Sequence, residues 1–181
     1  FKLVVGKWAP QFRNYRQQDA QEFLRFLLDG LHEDLNRIKV KPPYCELKDI
    51  VNESDVDKSI RWWKNATERS DSFINDLFAG QLKSAVTCHE CKNTSTSFDP
   101  FHDVSLPIPA NGKSKMLSSS LMSGSVDLHD CFKKFTEEEA LANDDKVYCS
   151  KCKQHCDSTK KLTFFRLPNV LVLHLKRFSM H

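Results

Sequence analysis

The sequence predicts an α+β fold, and three observations predict it. Apolar side chains recur at a helical period across residues 19–38. Residues 81–87 and 94–108 read as strands on either side of a Cys-x-x-Cys turn formed by Cys88 and Cys91. Residues 170–175 form a near-continuous apolar run, the pattern of a strand buried on both faces.

Taken in order, the helix over 19–38 carries Ala20, Phe23, Leu24, Leu27, Leu28, Leu31, Leu35 and Ile38 on one broad stripe. Gly30 within it costs about 1 kcal/mol relative to alanine, which the pattern absorbs. Pro42 and Pro43 bar continuation. Residues 44–56 read as a loop, and 57–65 as a second helix carrying Ile60 and Trp63. Phe73, Ile74, Leu77 and Phe78 then form an apolar patch leading to Gly80. In the strand that follows, Leu82 and Val86 share one face while Lys83 and Thr87 share the other. Phe98, Phe101, Val104, Leu106 and Ile108 mark the strand-like stretch after the first Cys turn. Residues 110–125, rich in Ser, Gly and Lys, predict a mobile surface loop. A short helix is predicted over 126–135. Thr136 and Glu139 match a capping box and predict another helix there. A strand over 162–165 precedes the final apolar run.

A length of 181 residues suits one domain or most of one, and a 40% hydrophobic content suffices for a core. No apolar run approaches the roughly 20 residues of a membrane span. The chain starts at Phe1 without a secretory leader and stops just after a strand-like run, so a piece of a longer protein is expected. The net charge of +3 gives little reason to expect nucleic acid or membrane as a partner. Four of the seven cysteines sit in paired spacing, which in a chain lacking a secretory route favours metal over disulfides and a cytoplasmic or nuclear location.

The second Cys-x-x-Cys turn, Cys149 with Cys152, completes the strongest chemical signal. Two such turns brought together offer four sulfurs to one tetrahedral zinc ion. The alternative is four thiols without metal. With more than fifty residues between the turns, the ion would be structural, clipping two hairpins together. Cys156, His89 and His155 could compete as ligands and rank below the spaced pairs, and Cys131 reads as a small core residue. The second signal is the helix start. Asp19 and Glu22, three apart, share a face of the first turn beside Gln17. They can simply oppose the helix dipole, or they can hold a cationic peptide, arginine above all. Cys45 lies in a loop with no activating neighbour. His174 reads as a structural histidine of the last strand. His102 and Asp103 are a weak pair, since adjacent strand residues face opposite ways.

Together these residues resemble the ubiquitin-specific proteases, the cysteine-type deubiquitinases. The segments YRQQDAQEFLR (15–25), DLFAGQLKS (76–84), FDPFHDVSLP (98–107), the two Cys turns and LPNVLVLHLKRF (167–178) occur in the family's order. The resemblance implies a papain-like fold of thumb, palm and fingers, incomplete here. Residues 1–78 would belong to the thumb, 79–166 to zinc-tipped fingers and 167–181 to a palm strand. It implies that Gln17, Asp19 and Glu22 contact the arginine-bearing tail of ubiquitin, with Phe98, Phe101 and Asp103 touching its body. Ubiquitin and ubiquitinated proteins would be the partners. The family's Gly-Asn-Thr-Cys and Gly-His-Tyr boxes are absent from these 181 residues, so no catalytic nucleophile or base is assigned among them.

Overall fold

The computed structural model describes residues 1–43, 45–109 and 126–177. The expected loop over 110–125 lies outside them, as do the last four residues of the expected palm segment. Five helices are described: α1 (Lys2–Trp8), α2 (Ala20–Asp34), α3 (Asp55–Thr67), α4 (Phe73–Phe78) and α5 (Leu128–Phe135). The strands are β1 (Gly80–Cys88), β2 (Thr94–Phe101), β3 (Asp103–Pro107), β4 (Glu139–Leu141), β5 (Val147–Cys149), β6 (Gln154–Cys156), β7 (Ser158–Arg166) and β8 (Val172–Lys176). An antiparallel sheet runs β2-β1-β7-β4, β3 pairs in parallel with β8, and β5 with β6 forms a small hairpin.

The N-terminal helices pack through a local apolar cluster. Val5, Ala9 and Phe12 are buried against Phe23 and Phe26 of α2, and the Phe12 and Phe23 rings meet edge to face at 5.1 Å. Sequence reasoning missed α1 because no side chain caps its start and its acidic first-turn signal is missing. The long helix begins as expected, with Asp19 as its N-cap, but ends at Asp34 and not Ile38. Asn36 stops it. Its buried side-chain oxygen accepts from the amides of Ile38 (2.9 Å) and Asp71 (3.3 Å). The Arg37 guanidinium then bridges Asp71 and Asp76 at 2.9 and 2.6 Å, drawing the chain toward α4. Ser54 and Ser72 cap α3 and α4 by accepting from the amides of Asp57 and Asn75.

Alternation along β1 sends its side chains to two layers. Gln81 and Lys83 face α3. Gln81, 1% exposed, accepts from the Ser59 hydroxyl at 2.6 Å and donates its amide to the Ser59 carbonyl at 3.2 Å. Lys83 pairs with Asp55. Leu82 faces the opposite layer, where Phe101, Val104, Leu106 and Cys131 form a core with Phe132, Phe135, Phe164, Leu173 and Leu175. Cys131 is the core residue that its helical position suggested.

Two strand expectations are corrected. Residues 94–108 break at His102 into β2, in the antiparallel sheet, and β3, in the parallel pair. Of the run at 170–175, Val172 to Leu175 enter β8 and are half-buried, while Val170 is exposed. Among the described residues β8 pairs with β3 alone, and Leu173 and Leu175 pack against the core. The helix expected at Thr136 is absent. Thr136 ends α5, its hydroxyl donating to the Phe132 carbonyl at 3.1 Å, and Glu139 lies in strand β4 opposite Lys160. A hydroxyl used backward to close one helix cannot cap the next.

Gly80 marks the bend where β1 meets both layers. A β-carbon there would collide with the Phe101 ring and lie 2.8 Å from the Arg166 carbonyl, and a register shift follows at Gln81/Leu82. The carbonyl belongs to a paired strand and cannot yield cheaply. Gly80→Ala should therefore cost about 1–3 kcal/mol, read as a lower urea midpoint; an unchanged midpoint would show that this crowding is absorbed.

Candidate functional site

The two Cys turns converge. Cys88 closes β1 and Cys149 closes β5, while Cys91 and Cys152 sit in the turns that follow. Each turn closes alike: the Lys92 amide donates to the Cys88 carbonyl at 3.0 Å, and the Lys153 amide to the Cys149 carbonyl at 2.7 Å. Lys92 and Lys153 adopt left-handed backbones, with φ of 57° and 58°. That conformation suits glycine better, and a lysine held there signals a turn fixed by its surroundings.

Sγ of Cys88 lies 3.9 Å from that of Cys152, and Sγ of Cys91 lies 3.6 Å from that of Cys149. All four sulfurs are within 4.8 Å of one another. Sulfurs on a tetrahedral zinc at about 2.3 Å stand roughly 3.8 Å apart, so the four match that arrangement in kind and in spacing. The backbone amides of Cys91 and then Glu90 lower the Cys88 thiol to about 6. The amides of Cys152 and Lys151 lower Cys149 in the same way. Cys152 shifts upward, chiefly through its hydrogen bonding with Cys91. The turn amides thus favour thiolate, the form that binds metal, at Cys88, and act in the same direction at Cys149. Four cysteines close enough to hold one metal ion are a property of this fold. His89 and His155 are used elsewhere: His89 bonds the Thr159 hydroxyl at 2.6 Å, and His155 packs on Tyr148.

At the start of α2, Asp19 accepts from the amides of Gln21 (2.7 Å) and Glu22 (3.4 Å). The capping role is real, yet Gln17, Asp19 and Glu22 all remain exposed. Gln18 fixes the approach, donating to the Gln11 carbonyl at 2.9 Å and to Asn14 at 3.2 Å. A hollow of about 330 Å³ beside the cap is lined by Phe1, Val5, Phe12, Arg16 and Asp19, among others.

Of the three residues expected on a binding surface, Phe98 and Phe101 are buried and Asp103 is half-buried. Phe98 is 1% exposed and meets Phe165 edge to face at 4.9 Å. Phe101 is buried against Phe164 and Gly80. As folded, neither ring offers surface to a partner, because each fills a layer of the sheet. The Asp103 side chain, 12% exposed, accepts from Gln21 at 2.5 Å and pairs with Arg25 at 3.5 Å. Gln21 also donates to Ser105, which bonds His174 at 3.1 Å. Asp103 and Gln21 therefore lock the acidic helix start onto the β3-β8 pair. Sequence reasoning missed Gln21. Its spacing hints at nothing, since its partners lie more than eighty residues away.

The histidines and the loop cysteine hold structural or exposed positions. His174 is held by Ser105. His102 bonds Asn75 at 2.7 Å, and burial, with His32 nearby, lowers its pKa. Cys45 is exposed, its sulfur facing the Glu46 carbonyl at 3.9 Å.

A sheet tipped by four convergent thiols and tied to a helical unit with an acidic helix start makes up this α+β fold. Two solved structures of the SAGA DUB module (Ubp8, Sgf11, Sus1 and Sgf73) share it. The one bound to monoubiquitin matches with a TM-score of 0.62 and 28% identity, over 98% of this chain and 31% of that one. The one bound to ubiquitin aldehyde matches with a TM-score of 0.60 and 27% identity, over 98% and 30%. The profile of the ubiquitin carboxyl-terminal hydrolase family matches residues 1–181, and the chain belongs to that family. It is 48% identical over 179 residues to ubiquitin carboxyl-terminal hydrolase 2 of Gallus gallus, covering 99% of this chain and 47% of that protein. Identity to ubiquitin carboxyl-terminal hydrolase 2 of Homo sapiens is 45%, over 99% and 28%. Identity to ubiquitin carboxyl-terminal hydrolase 21 of Homo sapiens is 43%, over 99% and 33%. The chain thus spans less than half the length of these relatives.

Proposed function

We propose that this chain is the ubiquitin-gripping part of a deubiquitinase that cuts isopeptide bonds by thiol chemistry. The observation that carries this reading is the match along residues 1–181 to a family of ubiquitin hydrolases, with neighbours solved holding ubiquitin. Residues 1–78 serve as part of the thumb, 79–166 as fingers and 167–181 as a palm strand. Cys88, Cys91, Cys149 and Cys152 hold one structural zinc ion, whose chemistry is to fix the two turns relative to each other. Gln17, Asp19 and Glu22 hold the arginine-bearing tail of ubiquitin, and the Gln21–Asp103 lock keeps their helix in register with the sheet. Misplacing a reacting group by about 1 Å can cost roughly 100-fold in rate, so this positioning counts toward catalysis. In the complete enzyme a thiolate attacks the carbonyl of ubiquitin's last glycine, with a histidine as its base. Those two groups are assigned to no residue in this chain, which by itself binds without cutting.

Substituting Asp19 tests the tail contact. Asp19→Asn keeps a good N-cap while removing the charge. Losing one charge-assisted hydrogen bond should weaken ubiquitin binding about 3–30-fold, with thermal stability unchanged. Equal affinity for both proteins would remove Asp19 from the grip. The absence of both family boxes from residues 1–181 also suits a second reading, a binding protein without activity. Turnover of a ubiquitin conjugate by the full-length protein separates the two.

A further inference from the structure

We propose that Cys156 is a reserve ligand of the metal centre, placed to take over the corner that Cys152 holds. This rests on the zinc reading above and goes beyond it. Cys156 is 3% exposed and packs into one cluster with the four paired cysteines. Its position follows from the β5-β6 register, in which Val147 opposes Cys156 and Cys149 opposes Gln154. Cys149 and Cys156 are therefore diagonal neighbours on one face of the hairpin, with β-carbons about 7 Å apart or less. The next residues fasten the strand to the other turn: the Asp157 carbonyl accepts from the His89 amide at 2.9 Å, and Ser158 pairs with Cys88. The Cys156 side chain consequently packs at the edge of the four-sulfur set, whose members lie within 4.8 Å of one another, so a small shift of its strand brings its sulfur to the metal. Its other contact is a long one, 3.6 Å to the Gln154 carbonyl, which costs little to give up.

The two cysteines differ in what holds them. Cys156 lies on a strand and is buried, whereas Cys152 lies in a turn and is half-exposed. Of these two, Cys152 is the one a chelator or thiol reagent meets first. The exchange balances simply: the metal–sulfur bond to Cys152 breaks and that thiolate takes a proton from water. Cys156 releases its proton to water as its own metal–sulfur bond forms. The ion holds four thiolates before and after the exchange, and its net charge is the same in both states.

Cobalt(II) loaded into the full chain in place of zinc tests this, because its sulfur-to-metal absorption counts the thiolates. Wild type should bind one equivalent; if it binds none, the metal reading itself fails and the reserve ligand falls with it. Cys152→Ser should also bind one equivalent with undiminished charge-transfer intensity. Cys152→Ser/Cys156→Ser should fall to about three quarters of that intensity or lose the metal to a chelator. Equal losses in the single and double variants would overturn the proposal. A second measurement leaves the paired cysteines intact. In Cys156→Ser a chelator should strip the metal about tenfold faster than from wild type, and equal stripping rates would also overturn the proposal.

Discussion

Cys91→Ser, or treatment with a strong chelator, should loosen the β5-β6 hairpin from the turn that ends β1. Among the described residues this hairpin is its own two-stranded sheet, three residues per strand. A lone hairpin of that size is marginal in water. Beyond the chain running on from β6 into β7, its tie to the β1 turn is through sulfur, with Cys91 and Cys149 only 3.6 Å apart across the two turns. Metal binding is worth about 10–16 kcal/mol in small zinc-finger peptides. In this chain part of that energy would go to holding this hairpin and the two lysines kept at positive φ. The variant should lose metal under a chelator challenge that leaves wild type loaded. Residues 147–156 should then become the first site of proteolytic cleavage, while the core around Phe101 and Leu106 keeps its protection. Unchanged metal content and an unchanged cleavage pattern would refute the ligand assignment.

Phe98→Ala should destabilise the fold by about 3–5 kcal/mol. The ring is 1% exposed, lies on the α3 side of the sheet, and meets Phe165 at 4.9 Å in an edge-to-face pair. Its cross-strand partner is Lys83, which is pinned to Asp55 of α3. The hole left by truncation would therefore be walled by groups already committed to other contacts and unable to close it. Thermal melting should fall by roughly 10 °C for a chain of this size. A ring serving mainly as a binding contact would give the opposite pattern, with stability kept and ubiquitin affinity lost. Measuring both quantities on one variant separates packing from recognition at this position.

The legible parts of the sequence were those with a local physical cause. Apolar spacing located α2 and β1, and the doubled Cys-x-x-Cys spacing named the four sulfurs that converge. What stayed illegible depended on distant partners. The end of α2 is set by Asn36 and Arg37 reaching Asp71 and Asp76, contacts across more than thirty residues. The polar half of β7, Ser158 to Lys161, is a strand because β1 and β4 pair with it, not because of any apolar alternation. The capping-box pattern at Thr136 is locally sound, and the end of α5 overrides it. The same limit applies at the site. That Asp19 and Glu22 are acidic and adjacent is plain in the sequence. That Gln21, between them, ties their helix to Asp103 and Ser105 is a tertiary fact. Phe98 and Phe101, three apart in one strand-like run, send their rings to opposite layers of the sheet, which leaves both inside.

The most direct measurement is amide hydrogen exchange of the metal-loaded chain with and without saturating ubiquitin. Exchange should slow at the start of α2, over residues 19–23, and along the metal-tipped sheet, and the protection over 19–23 should vanish when ubiquitin lacks its arginine-bearing tail. Unaltered exchange in both regions, with ubiquitin in excess, would contradict the idea that this chain grips that protein.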